Sequence, residues 1–264
     1  MTTATETKTV AGARALSKTT SEFEQQLKND GKSESTIRNC CNLLTRLENK
    51  GIDLLKPEEV KKFIAEQIWK KHSKATMVIY YGIFLEYMHV QWKPPKYTYR
   101  LNKVKAPLEA DVDALISGSS RKMAVFLQLL KETGFRMGEA MRLEWVNVDF
   151  DRNQIILNAP EKNSDSREAK MSPTLKLMLS AMPRRERKVF TCTKNSMYSS
   201  YRQQRTSIAF KLKNDRLKRI TFHDFRRFFA TKDYATYLDL LKTADALGLR
   251  NINNARRYIA KQEF

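Results

Sequence analysis

The chain has 264 residues, with 49 lysines and arginines against 29 aspartates and glutamates, for a net charge of +20. That length holds one or two domains with a sizeable core. No apolar run approaches the roughly 18 residues of a membrane span, and the N-terminus lacks a signal peptide's apolar stretch, so the expectation is a soluble, cytoplasmic protein. Charge of this size calls for an acidic partner, nucleic acid before membrane. The cysteines (Cys40, Cys41 and Cys192) are odd in number and two are adjacent, which argues against a disulfide framework. With three scattered histidines they show no zinc spacing, so no metal is expected.

Residues 1–18, rich in Thr, Ala and Lys, read as a flexible basic tail. Residues 19–92 read as a small helical domain. "TSEFEQQLKNDG" opens on Thr and Ser caps and stops at Gly31. "SESTIRNCCNLLTRLENKG" aligns Ile37, Cys40, Cys41, Leu44 and Leu47 on one face and stops at Gly51. "KPEEVKKFIAEQIWKK" has Pro57 and acids in its first turn and lysines in its last, as the helix dipole favours. "SKATMVIYYGIFLEYMHVQW" is a fourth, strongly apolar helix. "KPPKYTYRLNKVKAP" (93–107) combines Pro94–Pro95 with many cations and no helical period. It reads as an extended basic linker whose Lys103 and Lys105 would track a phosphate backbone.

Residues 108–264 read as a second, mainly helical domain. Helices are expected over "LEADVDALI", "RKMAVFLQLLKETG" and "MGEAMRL". Strands are expected next over "WVNVDF" and "QIILN" with "DRN" as their turn, and a third near Ala169–Met171. Helices return over "SPTLKLMLSAM", "SMYSSYRQQRTSIAFKLK", "TFHDFRRFFATKDYA", "YLDLLKTADALG" and "INNARRYIA". Residues 184–264 hold 20 Lys+Arg and 7 Asp+Glu, a net +13 of the +20 in under a third of the chain. These cations interleave with Tyr, Phe and His, which favours a polyanion-binding face over a merely solvated one.

Within "ITFHDFRRFFATK" (220–232), Phe225, Phe228 and Phe229 follow the spacing of a buried helix face. His223 and Arg226, three apart, share a neighbouring face. Taken singly, His223 would more often be a satisfied core or cap residue, Arg136 a surface residue at a helix start, and Tyr258 a half-buried tyrosine.

Three separated stretches change that weighting: "TGFRMGEAMRLEWVNVDF" (133–150), "HDFRRFFAT" (223–231) and "LGLRNINNARRYI" (247–259). In order, spacing and letters they resemble the catalytic domain of the tyrosine recombinase (phage integrase) family, as in Xer-like site-specific recombinases. Arg226 lies 21 residues before Leu247, and Tyr258 lies 11 after it. Residues 19–92 resemble the family's SAM-like helical core-binding domain. The implied fold is mainly α with a small antiparallel β-sheet, in two domains that clamp duplex DNA.

The resemblance implies attack of the Tyr258 hydroxyl on a DNA phosphodiester, giving a 3′-phosphotyrosine and a free 5′ hydroxyl, then rejoining by the reverse step. The energy stays in the phosphotyrosine bond, so neither ATP nor metal nor any other cofactor is expected. Arg136 and Arg226 would clamp the non-bridging oxygens, a task suited to a permanently charged planar fork. His223 would bond the phosphate or take the tyrosine proton. A lysine from "APEKNSDSREAKMSP" would protonate the leaving oxygen. Lys162 matches best, because the family places an arginine about five residues on, where Arg167 stands; Lys170 is the rival. Glu139 would orient an arginine or cap a helix. Arg227, Arg250, Arg256 and Arg257 would contact the DNA backbone.

Leu249 stands where the family usually has His or Trp, and it has no donor for phosphate. Arg250 is next door, but one helical step turns by about 100°. Asn254–Ala255 replaces the usual threonine-like pair. Six residues come after Tyr258, and "IAKQEF" offers a neighbouring subunit only Ile259 and Phe264. The family resemblance implies a homotetramer on two DNA sites. Two other readings stay open: a sequence-specific DNA-binding protein with weakened or lost catalysis, which Leu249 favours, and a type IB topoisomerase-like DNA-relaxing enzyme.

Overall fold

The computed structural model describes residues 20–99, 105–161 and 164–259. The tail expected over 1–18 lies outside them, as do Lys103, Lys162 and Phe264. The described residues form two compact units, one up to residue 99 and one from residue 105.

The first unit is built from four helices: α1 (residues 20–29), α2 (Glu34–Glu48), α3 (Pro57–Glu66) and α4 (Lys71–Tyr87). The Ser33 side chain caps α2 by accepting from Thr36 N. Ile37, Cys40, Leu43, Leu44 and Leu47 turn inward to meet Phe23, Val60, Ile64, Tyr81 and Phe84. Cys41 is only partly buried at the edge of that face. Tyr81 is sealed by donating its hydroxyl to Leu54 O at 2.8 Å. The third helix is shorter than its sequence suggests. It stops at Glu66, and Ile68, in the loop before α4, is fully exposed. Trp69 leaves the helix to sit against Phe63 and under Arg46, a packing gain available only off the helix. The segment expected as a linker stays with this unit through residue 99, since Trp92 and Tyr97 pack on its core.

The second unit runs α5 (Glu109–Gly118), α6 (Arg121–Thr133), α7 (Met137–Met141), β1 (Val148–Asp149), β2 (Gln154–Leu157), β3 (Arg167–Lys170), α8 (Pro173–Ser180), α9 (Lys194–Lys211), α10 (Phe222–Tyr237), α11 (Leu240–Ala246) and α12 (Ile252–Ala255). The sheet is antiparallel in the order β1-β2-β3, with Val148 opposite Ile155 and Leu157 opposite Arg167. Asp149 closes the first turn by accepting from the amides of Asp151 and Arg152. The strand expected over "WVNVDF" shrinks to Val148–Asp149. Trp145–Asn147 form a 3₁₀ turn, and the Trp145 amide is spent on Arg187 O.

The core of this unit gathers α6, α10 and the sheet, with Phe126 meeting Phe190 and Phe222 edge-on. Phe225 and Phe228 are buried in it as their spacing predicts, and Phe229 is half-buried. Two helix stops lie next to the candidate site. Gly134 ends α6 with φ of +61° and has the Phe229 ring against its Cα, so a side chain there would be both strained and obstructed. Leu247 ends α11.

Candidate active site

Arg226 is the largest fully buried side chain among the described residues. A buried guanidinium needs acceptors. Nη1 donates to Gly134 O at 2.6 Å and Nη2 to Leu247 O at 2.7 Å. These carbonyls lie at the ends of α6 and α11, so Arg226 ties both helices to α10. Each terminal nitrogen keeps a second hydrogen, and Nε is buried without a partner.

One carboxylate anchors the surrounding cations. Glu139 is fully buried on α7. Its Oε2 accepts from the Arg136 amide (2.7 Å) and Arg167 Nη2 (2.7 Å), and lies 4.0 Å from Arg226 Nη1. Its Oε1 accepts from Arg136 Nη1 (2.8 Å) and the Glu161 amide (3.1 Å). Burial pushes this carboxyl up; the Arg167 charge and the converging N–H donors outweigh that and bring it down to about 2. The same burial holds the Arg167 and Arg226 guanidinia below the ordinary arginine value, and for Arg226 the neighbouring Arg136 charge adds to the effect. Three arginines therefore share one carboxylate, and Arg167 Nε and Nη1 join Arg226 Nε as buried donors with no acceptor. Such a set suits an incoming oxyanion.

Arg136 is the N-cap of α7 and 13% exposed, with Nη1 also donating to Ser164 Oγ (2.7 Å) and Glu161 O (3.3 Å). Arg167 lies over the Phe135 ring at 4.9 Å. α10 is started by Thr221 and Asp224, which cap each other. His223 on its first turn is exposed, whereas Arg226 one turn on is buried. Both face Tyr258: its ring centroid is 5.1 Å from Arg226 Cζ and 5.3 Å from the His223 ring. The helix expected over "INNARRYIA" ends at Ala255, so Tyr258 projects from the turn after it, half-buried, with its amide on Ala255 O.

Arg136, Glu139, His223, Arg226 and Tyr258 thus come together from three distant stretches of chain. Lys170 is exposed at the end of β3 opposite Arg167. It lines a hollow of about 570 Å³ with Lys131, Phe228 and Lys232, and none of Arg136, His223 and Tyr258 is in that lining. Leu249 is half-buried, its amide on Ala244 O. Arg250 pairs with Asp165 at 2.9 Å and Arg227 with Asp224 at 2.8 Å. Lys105, Arg256 and Arg257 are exposed. Sequence reasoning used Arg167 only as a spacing mark and passed over Ser164. The polar run "SDSREAK" shows no burial pattern, and only the inward register of Arg167, two residues from the partly buried Ala169, would have flagged it.

A family model described as the phage integrase family matches residues 108–263, more than half of the chain. No match was found among curated proteins. Among solved structures, the chain is similar to the Tn1549 transposon integrase in complex with transposon right-end DNA (15% identity, TM-score 0.68), covering 93% of this chain and 96% of that one. It is similar to a XerH site-specific recombinase bound to its difH substrate (17%, TM-score 0.66; 92% and 81%). It is also similar to a lambda integrase dimer bound to a core site (11%, TM-score 0.70; 94% and 78%). With the family model spanning the arginines, the histidine and the tyrosine that the fold brings together, the chain belongs to the phage integrase family and is a tyrosine recombinase.

Proposed function

We propose that this recombinase cleaves and rejoins duplex DNA at a specific site through a 3′-phosphotyrosine on Tyr258. The observation that carries the reading is the convergence of the Arg226 guanidinium and the His223 imidazole on the Tyr258 ring, at 5.1 and 5.3 Å. In this reading the Tyr258 oxygen bonds to phosphorus as the bond to the 5′ oxygen breaks. His223 receives the tyrosine proton, and a lysine returns one to the leaving oxygen. Lys162 is our assignment for that lysine over Lys170, whose side chain lines a separate hollow. Arg136 and Arg226 hold the non-bridging oxygens, and Arg167, through Glu139, fixes their positions.

The Tyr258 ring covers the Arg226 guanidinium, so a bound phosphate reaches Arg226 as the ring shifts aside. DNA as the partner is supported by the basic C-terminal third and by neighbours solved with DNA. Arg227, Arg250, Arg256, Arg257, Lys103 and Lys105 are assigned to backbone contacts, and affinity should fall steeply with salt. The two units would grip the duplex as separate domains. Four protomers on two sites would exchange strands at the nucleoid.

The test is a nicked duplex carrying the candidate site. The wild-type protein is expected to give a covalent adduct on a denaturing gel without ATP; binding without an adduct would favour the reading as a DNA-binding protein. Arg226→Lys should slow single-turnover cleavage by about a hundredfold, or ~3 kcal/mol, because a single ammonium nitrogen lacks the planar fork whose two ends reach separate helix-end carbonyls while facing a phosphate. A rate within threefold of wild type would remove Arg226 from the phosphate clamp.

A further inference from the structure

Beside the arginine cluster lies a second group of cations that the reaction as assigned does not use. Arg142 Nη1 donates to Glu161 Oε1 at 2.8 Å, and Lys194 Nζ reaches the same oxygen at 3.4 Å. Arg142 also holds Ala159 O with Nη2, which fixes its direction. Lys194 opens α9 and is 55% exposed, Arg142 is 35% exposed and the Glu161 side chain 23%, so the group faces solvent on one side. The carboxylate lies directly against Gly138, where any Cβ would collide with it. Burial works against a charged Glu161, but Arg142 and Lys194 outweigh it and keep the carboxyl below its usual range.

Glu161 also connects this group to the cluster. Its amide donates to Glu139 and its carbonyl accepts from Arg136, while its side chain holds Arg142 and Lys194. The two cation groups therefore meet on one residue: Arg136 holds the Glu161 carbonyl, and Arg142 and Lys194 hold its carboxylate. A carboxylate between an arginine and a lysine has the charge and acceptor geometry of a phosphodiester.

We propose that Arg142 and Lys194 form a second DNA-phosphate seat, occupied in the free protein by the Glu161 carboxylate, which an incoming backbone phosphate displaces. The proposal rests on the DNA-binding reading above but not on the identity of the nucleophile. Binding then exchanges one anion for another, so Glu161 lowers affinity and discriminates against weakly held polyanions.

The test measures duplex binding by the full chain across a salt series, for wild type, Glu161→Gln, Lys194→Gln and the double variant. Glu161→Gln should tighten binding by about three- to tenfold at fixed salt. Glu186→Gln, which removes a charge from an exposed loop, controls for net charge and should change affinity by less than about twofold. Lys194→Gln should weaken binding and lower the slope of log K against log salt by about 0.9, the contribution of one phosphate. In the Lys194→Gln background, Glu161→Gln should lose most of its effect. Inorganic phosphate is the competing source: if millimolar phosphate binds Glu161→Gln more tightly than wild type while duplex affinity is the same for both, the seat binds free anion and the DNA assignment fails. The proposal also falls if Glu161→Gln binds no tighter than Glu186→Gln, or if the slope is unchanged in Lys194→Gln. Adduct formation by wild type in the same preparations separates those outcomes from failure of the recombinase reading.

Discussion

Tyr258→Phe should give no covalent protein–DNA adduct on the nicked duplex at any time, while binding the duplex within about twofold of wild type. The first half comes from removing the oxygen that joins phosphorus in the reaction proposed above. The second comes from the geometry: the ring lies over Arg226, and a phenylalanine keeps that contact. The two readouts are needed together. Loss of both would mean that the turn after α12 had collapsed, and an adduct that persists would move the nucleophile to another residue. A phenylalanine variant that binds, fails to react and melts with wild type would isolate the hydroxyl as the reacting group.

Glu139→Gln should cost about 3–5 kcal/mol of stability, measured by denaturant unfolding, because it leaves the buried Arg167 and Arg226 without their shared counter-charge. Glutamine keeps the volume and one acceptor, so the loss reports charge rather than packing. The pH dependence gives an independent check. Glu139 is held at about 2 when folded, against an ordinary value of 4.5. Its contribution is therefore fully present above pH 4.5 and is lost as pH falls from there through about 2. At 1.36 kcal/mol per unit, this amounts to about 3 kcal/mol. Wild type should lose that much more stability than Glu139→Gln over the same acid range. Parallel curves for the two proteins would show that Glu139 does not carry the linkage.

The helices of the second unit were legible because their apolar spacing agrees with their caps: Gly134 ends one where the pattern ends, and Thr221 with Asp224 starts another. Element ends chosen by tertiary contacts were not. Trp69 leaves α3 to lie between Phe63 and the Arg46 of another helix, and Trp145 gives its amide to the distant Arg187, pairings that no helical or strand period encodes. The site divides the same way. Arg136, His223, Arg226 and Tyr258 sit in boxes with their own internal spacing. Arg167, Ser164 and Glu161 come from a polar hairpin whose roles appear only once Glu139 and Arg136 are seen to face them.

Arg226 holds the ends of two helices as well as a place over which a phosphate can sit. A descendant that ceased to cut DNA would still need this arginine to close its core, so its retention says little about whether such a chain still works. The tyrosine hydroxyl is under no comparable demand from the fold, because a phenylalanine fills the same space. On the proposed assignment of Tyr258 as nucleophile, the letter at position 258 is thus the better witness to surviving chemistry among drifting relatives, although the arginine is the more deeply set of the two.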